Sequence, residues 1–130
     1  MKKCNSSNDT PRLMSRWVML LASNMMEKEG LDRSLAMTRA HLTANLLDKL
    51  GKGIVCFSYI KENGNIRYAR GTLCRGVSKG FDSYLSKGVK KKRDNSNTDG
   101  VYVYWDLDWE EFRSFKASHL LNISAQRNRP

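Results

Sequence analysis

The sequence predicts an α+β protein in which a pair of helices is followed by a small antiparallel β-barrel. Apolar residues recur every three or four positions as far as residue 50, which is typical of amphipathic helices. After Gly53 the hydrophobic period changes to two, as expected for half-buried strands. The pair Asn63-Gly64 then separates two alternating runs and is a strong signal for a β-hairpin. The boundary between helices and sheet is therefore predicted at residues 51–53.

The first fifty residues are predicted to contain a disordered arm and a helical hairpin. Residues 1–11 are polar and are expected to form the arm. The hairpin is predicted over residues 12–51, because Thr10-Pro11 has the form of an N-cap followed by proline at the first helical position. Gly30 is expected to end the first helix, and the second is expected to begin near Asp32. The apolar residues expected to face inward include Trp17, Leu21, Leu35, Leu42, Leu46 and Leu50.

Residues 52–126 are predicted to form the barrel, because five short strands joined by tight turns can close on themselves. Phe57 and Phe115 are expected to be buried in its core. The strands are predicted at residues 55–60, in the run after Gly64, at residues 101–107, at residues 112–116, and in "ASHLLNI" after a short helical turn.

The hairpin around Asn63-Gly64 raises a question about two arginines. With a two-residue turn, Tyr59 lies opposite Tyr68, whereas one extra residue in a bulge would shift this register. The same two-residue turn would place Phe57 opposite Arg70. Alternation puts Arg67 and Arg70 on opposite faces of the strand. One of them must then lie at the edge of the core face, which favours contact with a partner over simple solvation.

Residues 74–99 are predicted to be a basic insert in the barrel. Its cations outnumber its acidic residues, and residues 90–93 read Lys-Lys-Lys-Arg. A loop of this length in a compact domain is usually functional or disordered. Phe81 and Tyr84 lie among the basic residues, and this mixture can stack on bases while neutralising phosphates. A solvated charge run is the commoner explanation of such a segment, so both interpretations stay open.

The composition favours a protein that meets polyanions in the cytoplasm. The 130 residues include 23 Lys and Arg against 13 Asp and Glu, a formal net charge of +10. Such a surplus raises the local concentration of nucleic acid or of acidic protein surfaces. The three cysteines lack C-x-x-C spacing, so neither a disulfide framework nor a zinc site is expected. No apolar segment is long enough for a membrane span.

No catalytic motif is present in the sequence, so neither enzymatic activity nor a cofactor is expected. His41 and His119 are far apart and lack the spacing of metal ligands. The acidic residues between Asp106 and Glu111 could be imagined as a magnesium site. Because alternation and a tight turn send their side chains in different directions, a solvated turn is expected instead.

Four segments follow one another along the barrel part of the chain: "VCFSY", "NGNIRYARGTL", "VYVYWDL" and "FRSF". With these segments, residues 53–123 resemble the WYL-type module, an Sm-like SH3 barrel, and more closely the small WYL-related barrel proteins of Bacteroidetes and their phages. The resemblance implies an Sm-like/SH3-like barrel that binds nucleic acid or nucleotide-like ligands through a basic and aromatic face. It also implies that Arg113 belongs to the ligand-facing set. The insert is longer and more basic than the family pattern needs.

These observations predict a non-enzymatic nucleic-acid-binding accessory or regulatory protein of phage or mobile-element origin. It is expected to contact RNA or single-stranded DNA. The alternative is a protein-binding, anti-CRISPR-like inhibitor of a host nucleic-acid-guided defence nuclease, which would bind a host nucleoprotein complex. The residues predicted to contact nucleic acid are Arg67, Arg70, Arg75, Lys79, Tyr84, Lys87, Lys90, Lys91, Lys92, Arg93 and Arg113.

Overall fold

The computed structural model describes residues 9–87 and 98–124, with side chains from Arg16 onward. Two helices are followed by one five-stranded antiparallel sheet, as the sequence predicts, and a third helix lies between the second and third strands. The elements in chain order are α1 (Asp9–Glu29), α2 (Arg33–Leu50), β1 (Val55–Ile60), β2 (Ile66–Thr72), α3 (Lys79–Ser86), β3 (Val101–Asp106), β4 (Glu111–Lys116), a 3-10 turn (Ala117–His119) and β5 (Leu120–Ser124).

The link between α1 and α2 is short because both of its ends are capped. Gly30 has a φ of 71°, and its N–H donates to the carbonyl of Met26 at 3.2 Å, which ends α1 as predicted. The Asp32 carboxylate accepts a hydrogen bond from the Leu35 N–H at 3.0 Å and caps α2. α1 already begins at Asp9, within the predicted arm, and the rest of that arm lies outside the described residues.

Small side chains, rather than the leucines alone, form the buried face of α2. Ala36, Ala40 and Ala44 are buried along α2, where they allow close approach of neighbouring elements. The prediction that Leu35 faces inward is wrong, because its side chain is 40% exposed beside the buried Ala36. Leu35 lies in the first turn of α2, where the position one residue later occupies the inward face. The sequence pattern favours the larger Leu35, whereas packing places the smaller Ala36 on the inward face.

The β1–β2 connection has one residue more than a two-residue turn. Lys61 N donates to the Asn65 carbonyl at 2.7 Å, and Gly64 N donates to the Lys61 carbonyl at 2.9 Å. Only Gly64 of the central residues has a positive φ, 91°, so the loop is a type I turn followed by a glycine bulge. The two-residue register is therefore wrong. Tyr59 pairs with Arg67, and Phe57 pairs with Ala69.

An aromatic core fills the inner face of the sheet. Leu21, Leu46, Phe57 and Phe115 are buried, as predicted, and the rings of Phe57 and Tyr104 meet edge to face with centroids 4.9 Å apart.

Two residues predicted to be in the core are only partly buried. The Trp17 ring lies 5.9 Å from that of Tyr102 at the margin of the core. Leu42 lines a groove beside β5 instead of packing fully into the core.

Part of the predicted basic insert is a helix. Ser78 caps α3 by accepting the Phe81 N–H at 3.2 Å, and Phe81 is buried. The interpretation of the whole insert as a loop is therefore wrong over Lys79–Ser86. The four consecutive cations at residues 90–93 lie outside the described residues.

Candidate nucleic-acid interface

The two outer strands of the sheet are β4 and β5, since the strand order is β4-β3-β2-β1-β5. A cleft of about 350 Å³ lies between β4 and the end of the β1–β2 hairpin. We call this the edge cleft. Its lining includes the buried residues Tyr59 and Phe115. Its charged and titratable lining residues are Lys61, Glu62, Arg67, Arg113, Lys116 and His119.

The edge cleft brings together two of the predicted contact residues, Arg67 and Arg113. Arg67 lies on the same face of β2 as the buried Ala69, at the end of the strand, and is half-buried. One of the two arginines therefore lies at the edge of the core face, as the alternation predicts. Among the described residues no ion pair engages Arg67, Lys61 or Lys116, and Glu62 is the one carboxylate that lines the cleft with them, so the cations are in excess.

Arg113 has a different environment from Arg67 because two carboxylates hold it. Its Nε donates to Asp106 Oδ2 at 2.8 Å, and its Nη2 lies 3.1 Å from Glu111 Oε2. The guanidinium also lies 5.8 Å from the ring centroid of Trp109. The ligand-facing role that the family resemblance implied for Arg113 therefore applies to a residue whose charge is already paired within the protein.

Asp106 corrects the expectation of a solvated acidic turn. Its side chain is nearly fully buried, with the whole residue 2% exposed. In addition to Arg113, it accepts hydrogen bonds from the backbone N–H groups of Asp108 at 2.8 Å and Trp109 at 3.1 Å. A buried carboxylate needs such partners, and here they shape the β3–β4 turn. The described residues contain no group of three or more His, Cys, Asp or Glu side chains that could hold a metal ion.

Tyr59, which lines the edge cleft, is paired with the buried Tyr104. The hydroxyls of Tyr59 and Tyr104 are 2.8 Å apart. The pKa of Tyr104 is raised above its ordinary value. Burial is the largest cause, and the hydrogen bond with Tyr59 is the next. Tyr104 therefore remains protonated at neutral pH and can act as a donor.

The outer face of the sheet carries exposed rings that the sequence analysis did not select. Tyr68 is 79% exposed on β2, and Trp109 is 66% exposed on the β3–β4 turn. Arg70, on the same face as Tyr68, lies 3.3 Å from Asp108, which is next to Trp109 in the chain. Solvent-facing aromatic rings beside an arginine are a common feature of single-strand binding surfaces. The alternation of β2 could have indicated Tyr68, whereas nothing local distinguished Trp109.

The remaining predicted residues do not converge on the edge cleft. Tyr84 packs edge to face against Phe112, with ring centroids 4.9 Å apart, so one side of its ring is occupied by the protein. Arg75, Lys79 and Lys87 are exposed near the two ends of α3, and no ion pair within the described part of the chain engages them.

A second groove, of about 580 Å³, lies between α2 and the ends of β1 and β5. It is lined by Lys49 and Lys52 together with apolar residues such as Leu42 and Ile54. Lys52 is already paired with Asp48 at 3.2 Å. None of the predicted contact residues lines this groove, so the edge cleft is the better candidate interface.

Comparison with known proteins identifies the barrel. Residues 43–121, more than half of the chain, match the family model described as "WYL_2, Sm-like SH3 beta-barrel fold". The matched range starts within α2 and includes every strand except most of β5. No curated protein and no solved structure matches the chain. Within the described residues, neither long helix is apolar enough to cross a bilayer.

Proposed function

We propose that this protein, which belongs to the WYL_2 family of Sm-like SH3 β-barrels, is a non-enzymatic accessory protein that binds RNA or single-stranded DNA. The edge cleft would hold the phosphate groups, and the exposed rings of Tyr68 and Trp109 would stack on neighbouring bases. The proposal includes no reaction because the sequence contains none of the common catalytic motifs, and an accessory role is consistent with the Sm-like fold.

One observation carries the proposal. Lys61, Arg67 and Lys116 line one cleft without any ion pair among the described residues. Three like charges at one site repel each other, and this repulsion is relieved when an anion binds. Other exposed cations of the described residues, such as Arg75 and Lys79, are also without ion pairs, so what distinguishes these three is that they line one cleft together.

A single strand suits this site better than a duplex. A cleft of about 350 Å³ has the scale of a small-ligand pocket and does not admit a double helix. Stacking on Tyr68 and Trp109 requires bases whose faces are free, and in a duplex those faces are covered by neighbouring pairs.

The experiment compares two variants that remove the same charge. In the test variant Lys61, Arg67 and Lys116 are replaced by Ser. In the control variant Lys28, Arg33 and Lys49, exposed on the helices, are replaced by Ser. Binding of a labelled single-stranded RNA is measured by fluorescence anisotropy at several salt concentrations.

The test variant is expected to lose about two units from the slope of log K against log salt, at about 0.7 for each lost phosphate contact. The control variant is expected to keep the wild-type slope within about half a unit, since none of its three cations lines the edge cleft. Equal slopes for both variants would contradict phosphate binding in the edge cleft. Weak binding by the wild-type protein even at low salt would favour the alternative, an inhibitor that recognises a host nucleoprotein complex.

A further inference from the structure

The phenol pair of Tyr59, which lines the edge cleft, and the buried Tyr104 leaves one hydrogen-bond donor unused. Each neutral phenol has a single O–H, and the Tyr59 and Tyr104 hydroxyls bond to each other at 2.8 Å. One of them must donate, so the proton of the other needs a different acceptor. Neither hydroxyl has another hydrogen-bond partner among the described residues.

Burial decides which proton is left over. Both residues are buried, but Tyr104 is 0% exposed and does not line the edge cleft, whereas Tyr59 is 4% exposed and does. If Tyr59 donated, the Tyr104 proton would be buried without an acceptor, which is costly. We therefore infer that Tyr104 is the donor, which leaves the Tyr59 O–H as the proton on the residue that lines the cleft.

Arg67 is the direct neighbour of this donor. Tyr59 and Arg67 are paired across β1 and β2, and directly opposite residues have their Cβ atoms about 5 Å apart on the same face. Lys61 follows in the same hairpin, and Lys116 closes the cleft from β4. Glu62 is the single acidic residue among the described residues that line the cleft. If Arg113 is counted as neutralised by Asp106, the remaining lining charges sum to about +2 with His119 neutral.

We propose that the edge cleft is a phosphomonoester site, which takes the terminal phosphate of a strand or of a nucleotide rather than an internal phosphodiester. This inference rests on the proposed function and states which group the cleft selects. A phosphomonoester has a charge between −1.5 and −2 near neutral pH and three terminal oxygens, whereas an internal phosphodiester has a charge of −1. The lining charge matches the monoester. The three terminal oxygens of a monoester also offer more acceptors to the cations and to the Tyr59 hydroxyl that line the cleft than the two free oxygens of a diester do.

The test uses three labelled 12-nucleotide RNAs of one sequence, with a 5′-phosphate, with a 3′-phosphate, or with hydroxyls at both ends. Adenosine monophosphate and inorganic phosphate are titrated separately by calorimetry, so that strand ends, nucleotides and the free anion are distinguished. We expect one phosphorylated RNA to bind about tenfold or more tightly than the unphosphorylated one, since a hydrogen bond to a charged group contributes that much.

Two variants locate the effect. Tyr59→Phe removes the free donor, and Arg67→Gln removes the neighbouring charge without breaking an ion pair. Both are expected to reduce the preference for a terminal phosphate at least tenfold. Arg70→Gln, on the outer face, is expected to keep it. Because Tyr59→Phe leaves Tyr104 without its partner, a thermal melt accompanies it, and Arg67→Gln decides the matter if that variant does not fold.

The outcomes separate the inference from the proposed function. Equal binding of all three RNAs by the wild-type protein would overturn the phosphomonoester site and leave single-strand binding intact. No binding of any RNA would overturn the proposed function. If adenosine monophosphate still bound and Arg67→Gln abolished that binding, the phosphomonoester site would stand with a nucleotide as its ligand. If both Tyr59→Phe and Arg67→Gln kept the preference for a terminal phosphate, the placement of the phosphate site in the edge cleft would be refuted.

Discussion

The buried carboxylate of Asp106 should be a major source of stability for the barrel, and Asp106→Ala tests this directly. The residue is 2% exposed and accepts three hydrogen bonds, from Arg113 Nε at 2.8 Å and from the backbone N–H groups of Asp108 and Trp109. Its removal would leave Arg113 with Glu111 as its remaining carboxylate partner, at 3.1 Å.

The magnitude follows from these contacts. A hydrogen bond to a charged group contributes about 1.5–3 kcal/mol, and removal of one member of a buried ion pair costs about 3–5 kcal/mol. Arg113 keeps partial solvent exposure, 22% of its side chain, and retains Glu111, so the ion-pair contribution is reduced. We therefore expect Asp106→Ala to lower the free energy of unfolding by about 3–4 kcal/mol. Asp106→Asn keeps an oxygen acceptor for the turn and should cost about half of that.

The assay is urea unfolding followed by circular dichroism, with the midpoint and the slope m fitted together. Asp108→Ala is the matched control, because Asp108 pairs with Arg70 on the surface and an exposed pair contributes about 0–1 kcal/mol. A double-mutant cycle with Arg113→Met measures the coupling between the two residues. If Asp106→Ala were no more destabilising than Asp108→Ala, or if the coupling energy were near zero, the assignment of Arg113 to the turn would be refuted. A ligand-binding role for Arg113, as the family resemblance implies, would then be supported again.

Three further predictions concern the core, a close backbone approach and the basic run. Phe57→Ala should lower the free energy of unfolding by about 3–5 kcal/mol, as measured by urea unfolding, because the ring is buried in the aromatic cluster; an unchanged midpoint would mean that the inner face is misassigned. Gly71→Ala would place a methyl group 2.5 Å from the ring of Tyr104 and should cost about 1–3 kcal/mol, whereas Gly53→Ala meets no atom within 4 Å and should be near neutral in the same assay. Replacement of the four cations at residues 90–93 by Ser should lower the salt slope of RNA binding by up to roughly three units if they contact phosphates, with little change in the melting temperature; an unchanged slope would contradict that role.

Local periodicity was enough to predict the elements of the fold. The change of hydrophobic period near Gly53 separates helices from strands, because an amphipathic helix and a half-buried strand bury different spacings of the chain. Alternation along β2 likewise predicted that Arg67 and Arg70 point to opposite faces. In the structure one lines the edge cleft and the other pairs with Asp108 on the surface. The order of short motifs along the barrel indicated the family, which the match over residues 43–121 confirms.

Features that depend on a single backbone angle or on distant partners were decided by the tertiary structure. The register of the hairpin depended on whether Asn63 adopts a positive φ, and it does not. The burial of Asp106 depended on Arg113, which reaches it across a turn whose geometry the carboxylate itself organises.

The edge cleft and its unpaired cations were also decided only in three dimensions. They come from the β1–β2 turn, the start of β2, the end of β4 and the 3-10 turn, which are separated by up to about sixty residues in the sequence. The alternation of polar and apolar residues indicates the face of its own strand on which a side chain lies. It does not predict which other strands contact that face, because those contacts depend on register, sheet curvature and the order of strands. For this protein the sequence therefore determined the elements, their faces and the family, whereas only the folded chain determined which charges are paired and which remain available to bind an anion.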